Sequence, residues 1–154
     1  MLYDFDICQK NRQLLHNLME KLTPEQLNEI PDGFNNNILW NIGHSIATQQ
    51  LLVYGLSGNE FHVPSHIIDH YKKGTKPEGS RSIEEIAEIR SLLFSTIKQL
   101  EKDYADDIFT TFKTYTLSTS GGTLHKAEDA IAFNNYHEGL HLGYIMALVK
   151  VITK

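Results

Sequence analysis

Only one cysteine, Cys8, occurs in the 154 residues, so no internal disulfide can form and the fold must rest on packing. Basic clusters are also missing. The formal net charge is −5, and pairs such as Lys72-Lys73 stand alone. A nucleic-acid footprint needs a basic face, so no nucleic-acid partner is expected. No apolar run approaches the ~18 residues of a membrane span, so no membrane partner is expected either. Met1 to Asp6 is acidic and lacks the basic-then-apolar order of a secretion signal, which with the lone cysteine points to the cytoplasm. Repeats and low-complexity segments are absent. What is present suits one domain over residues 1–154: 41% hydrophobic and 21% charged residues, enough for a real core.

Helical periodicity marks four segments. The first, about 3–22, carries Ile7, Leu14, Leu15, Leu18 and Leu22, with His16 on a polar face beside Gln9, Arg12, Gln13 and Glu20. Thr23-Pro24 ends it, and Thr23 with Gln26 can cap a short turn. The second, about 36–56, has one stripe of Leu39, Ile42, Ile46, Val53 and Leu56 and another of Trp40, His44, Ala47 and Leu51. A helix apolar on two sides is buried widely or meets a second subunit. The third, about 82–104, starts at the capping box Ser82/Glu85. The fourth, about 124–152, lines up Ala130, Asn134, His137, His141, Tyr144, Leu148 and Val151. The first link is short; the second and third, about 57–81 and 105–123, are long. A link of ~25 residues can run the length of a bundle, so helices two and three can be parallel. The β-branched and aromatic stretch 108–119 can form a short strand or hairpin before Gly121-Gly122. The expected fold is all-α, a four-helix bundle with long second and third connections.

His137-Glu138-Gly139-Leu140-His141 spells H-E-x-x-H, the zinc-protease spacing in which the Glu is a general base. A protease needs a third ligand, usually downstream, yet no Asp, Glu, His or Cys occurs from Leu142 to Lys154. The third ligand must come from upstream. His44 is the best candidate, because antiparallel helices two and four would bring it to the depth of His137 and His141. A rival trio, His62, His66 and His70, lies in the second link. Pro64 denies it one continuous helix; it reads as surface, or as the mouth of the main site.

Trp40-Asn41-Ile42-Gly43-His44 and His137-x-x-x-His141-x-Gly143 resemble the two histidine motifs of the DinB-like (YfiT-like) four-helix proteins. Helix order, link lengths and chain length are similar across nearly the whole sequence. The resemblance implies a divalent metal on His44, His137 and His141, and makes the protease pattern coincidental. It departs at Tyr144, where many relatives carry Gln. It further implies a homodimer and a broad range of activities, including metal-dependent hydrolysis and transfer of low-molecular-weight thiols such as bacillithiol or mycothiol.

Three imidazoles with an open position form the catalytic arrangement for zinc. Zinc is the default, and nickel, copper and iron also suit imidazole. Such a site, acting on a small-molecule substrate, can activate water or a thiol. Asn134, one turn from His137, is expected to brace that imidazole. Tyr144 is expected to bond a group at the metal. Glu138 points ~100° from His137 and is expected at the rim as a proton acceptor, or in water. The alternative from another class is a non-catalytic dimeric bundle whose histidines are a structural clip or metal-free core.

Overall fold

Local signals set the helix ends. The computed structural model describes all residues, 1–154. Helix α1, Leu2–Met19, stops before Thr23, whose hydroxyl accepts from Gln26 N while the Gln26 side chain accepts from Thr23 N. That reciprocal cap opens the short α2, Pro24–Asn28. Asn37 caps α3, Ile38–Gln49, by accepting from Trp40 N at 2.7 Å. The helix then widens into a π-helical segment, Gln50–Gly55. An unforeseen helix, α4, Ser65–Tyr71, occupies the second link. Ser82 caps α5, Ile83–Ala105. Two short strands, β1 (Tyr115–Thr116) and β2 (Thr123–Leu124), pair antiparallel as the expected hairpin, and α6, Ala127–Ile152, closes the chain. No helix is long and apolar enough to cross a membrane.

Two apolar clusters give the helix directions. The larger holds Leu15 and Met19 of α1, Ile38 to Ile46 of α3, Ile86 to Leu93 of α5, and Ile145 and Leu148 of α6. The smaller holds Phe5, Val53, Tyr54, Leu100, Ala130 and Ile131. Following α3 from the first cluster to the second runs forward along α5 and backward along α6. Helices two and three of the expected bundle are therefore parallel, and two and four antiparallel.

One face differs from expectation. The buried side of α1 is Phe5, Cys8, Arg12, Leu15 and Met19, while Leu14 is half exposed. Arg12, expected on a polar face, is wholly buried because Glu138 of α6 meets it there. The second helix is buried at every α3 position but Thr48, all within its own chain, so packing inside the bundle accounts for its two apolar stripes.

Candidate metal centre

The antiparallel pairing of α3 and α6 brings His44 against His137 and His141. One ring nitrogen from each lies within 4.8 Å of the others. His44 and His141 are joined at one end to groups that dictate which nitrogen carries the proton. His44 Nδ1–H donates to the Tyr71 carbonyl at 2.7 Å, since a carbonyl can only accept. His141 Nδ1–H donates to Asn41 Oδ1 at 2.8 Å. Asn41 is itself oriented, its Nδ2 donating to Asn37 O at 2.7 Å and Asn36 Oδ1 at 3.0 Å. Both imidazoles thus keep an unprotonated Nε2, with the Thr48 hydroxyl 3.4 Å from that of His44. The His137 and His141 Nε2 atoms stand 3.2 Å apart. Trp40 stacks on His44 with ring centroids 4.7 Å apart and planes 8° apart, holding the ring's pitch.

Close packing sets the Tyr71 carbonyl in place. A Cβ on Gly43 would come within 2.6 Å of the Tyr71 ring, so only glycine lets α4 lie so near α3. Tyr71 is in turn tied to α5, its hydroxyl donating to Glu85 at 2.7 Å.

The surroundings keep the three rings neutral. Burial first, then the neighbouring imidazoles, depress His137 to about 3. Burial and His44 depress His141 to about 4. Burial also lowers His44, against the opposing effect of its bond to the Tyr71 carbonyl. Neutral imidazole is the form that ligates. The histidines open onto a cavity of about 450 Å³, within the size range of small-molecule sites. Its walls include Leu51, Leu52 and Leu56 on one side and Phe133 and Leu140 on the other; no Asp or Glu lines it. The donor set fits a divalent ion with an open side: three converging nitrogen donors, two of them on oriented rings, no fourth protein ligand, and free space in front.

The other sequence candidates lie elsewhere. Asn134 does not brace His137; its Nδ2 donates to Glu138 Oε1 at 2.9 Å. Glu138 reaches neither rim nor water. It is fully buried and accepts from Arg12 Nε at 2.8 Å and Nη2 at 2.6 Å. The helical offset that brings His137 to the cavity turns Glu138 toward α1. Tyr144 is not in the cavity wall: it packs edge-on to Phe34 at 5.8 Å, because the cavity extends from the histidines toward the start of α6 and Tyr144 lies on the other side. The trio in the second link does not converge or line the mouth. His62 pairs with Asp103, His66 with Glu88 and His70 with Glu85.

Asn41 and the Tyr71 carbonyl were missed as orienting groups. Asn41 left a signal, a polar residue three positions before His44 on a mostly apolar helix. The carbonyl left none, since a backbone group has no letter of its own.

A family model described as the DinB superfamily matches residues 8–145. No curated protein matches the chain.

Proposed function

Because the chain belongs to the DinB superfamily, and because three converging imidazoles open onto an apolar cavity, we propose that it is a divalent-metal enzyme that transfers a low-molecular-weight thiol to a small-molecule acceptor. His44, His137 and His141 hold the ion, with zinc the default and nickel an alternative. When bound, it supplies Lewis-acid activation that makes a thiol or water nucleophilic at neutral pH. Asn41 and the Tyr71 carbonyl hold two of the rings in the ligating tautomer. The leucine and phenylalanine walls offer an apolar surface to the body of a small molecule.

One observation favours thiol over water: no carboxylate lines the cavity. Hydrolysis is helped by a positioned proton acceptor, and the protein provides none there. A free thiol already ionises near pH ~8.5, and on an ion it loses its proton outright, so it needs no proton acceptor in the wall.

The test begins with elemental analysis of untagged wild-type protein, His44→Ala and His137→Ala. About one metal per chain is expected in the wild type and almost none in either variant, while His16→Ala and His66→Ala keep it. Metal-dependent conjugation of bacillithiol or mycothiol to an electrophile should then appear and vanish with chelator. Ester hydrolysis without thiol would favour the hydrolase instead. Full metal retention in His44→Ala would overturn the three-histidine site.

A further inference from the structure

The cavity wall contains one charged group, and it is a cation. Lys73 lies in the link between α4 and α5, and its Nζ donates to Ser118 Oγ in the turn between β1 and β2. Both residues line the cavity, as does Thr119. Most lysines of the chain are unpaired, and Lys73 is the one of them that lines the cavity; no carboxylate lies within ion-pair distance of it. Its only partner is a neutral hydroxyl, which a stronger acceptor can displace.

The histidine end is electron-poor once an ion is held there, and calls for a lone pair. Leucine and phenylalanine side chains supply much of the remaining wall. Lys73 calls for negative charge. We propose that the cavity takes an amphipathic carboxylate: a lone-pair donor, sulfur in the case of a thiol, at the histidines, an apolar body along Leu52 and Phe133, and a carboxylate on Lys73 with the Ser118 and Thr119 hydroxyls beside it. A single ammonium matches a singly charged group. This specificity rests on the metal and thiol reading of the same cavity, and adds to it which small molecules enter.

Calorimetry on zinc-treated protein tests it, with mercaptohexanoate and the neutral mercaptohexanol as probes and bound zinc measured in every sample. Wild type should bind the carboxylate about three- to tenfold more tightly than the alcohol, the scale of one partly exposed charged hydrogen bond. The preference should shrink as salt rises. Lys73→Met should erase it without weakening mercaptohexanol, and Lys73→Arg should keep most of it. Equal affinities in the wild type, or a preference that survives in Lys73→Met, would overturn the proposal. Zinc retained with equal binding of both probes sinks the carboxylate inference alone. No zinc uptake with a Lys73-dependent preference intact sinks the metal reading and supports the inference. Binding of neither probe sinks both.

Discussion

His137 and His141 stay neutral far below the usual histidine range because burial and neighbouring imidazoles oppose their charge. In the unfolded chain they protonate near pH ~6.5. Between that value and their folded values of about 3 and 4 the unfolded state binds more protons. In metal-free protein these two histidines should therefore add no pH dependence above pH ~6.5 and cost stability as pH falls below it, by up to ~1.4 kcal/mol per pH unit for each. Urea midpoints across that range measure the slope, and His137→Gln should reduce it. Asn41→Ala frees His141 to rotate and should weaken metal binding about 10- to 100-fold, as read by chelator competition. Gly43→Ala should act similarly through Tyr71, with a lower melting temperature as well, because its Cβ needs space that the ring already fills. Cys8 is a different case. Burial, with Glu138 nearby, pushes its thiol well above the usual range, so it should resist alkylation until the chain unfolds.

Between elements, the strongest polar link is the pair of Arg12 on α1 and Glu138 on α6, both fully buried. Glu138→Leu leaves a guanidinium buried without its counter-charge and should cost about 3–5 kcal/mol in urea unfolding. The double variant Arg12→Met/Glu138→Leu should recover most of that loss and still hold metal, since neither side chain lines the cavity. The same pair shows where the sequence was legible. Periodicity located the four long helices, and turn chemistry at Thr23, Ser82 and Gly121-Gly122 located ends and hairpin. His44, His137 and His141 were legible as a group because motif spacing and helix direction agreed. Periodicity misjudged the side of α1, since a buried ion pair writes a charged letter where the pattern expects an apolar one. It misplaced Asn134, Glu138 and Tyr144 because sharing a stripe on α6 does not say which neighbour each stretch meets. Helix α4 escaped notice because seven residues are too few to establish a period.

At the scale of the molecule, the three histidines join only α3 and α6, so a bound ion should clip two helices together. At a free-ion concentration ~1,000 times its dissociation constant the gain is about 4 kcal/mol. Chelator should lower the wild-type urea midpoint accordingly and leave His44→Ala unmoved. The cavity has a division of labour with a longer reach. Its floor belongs to helices locked into the apolar clusters. Its mouth, with Lys73, Tyr115, Ser118 and Thr119, belongs to the two long links. Those mouth positions are exposed, and surface replacements usually change stability by less than ~0.5 kcal/mol. Descendants of such a chain can drift at the mouth and acquire new small molecules while the reactive floor is inherited unchanged.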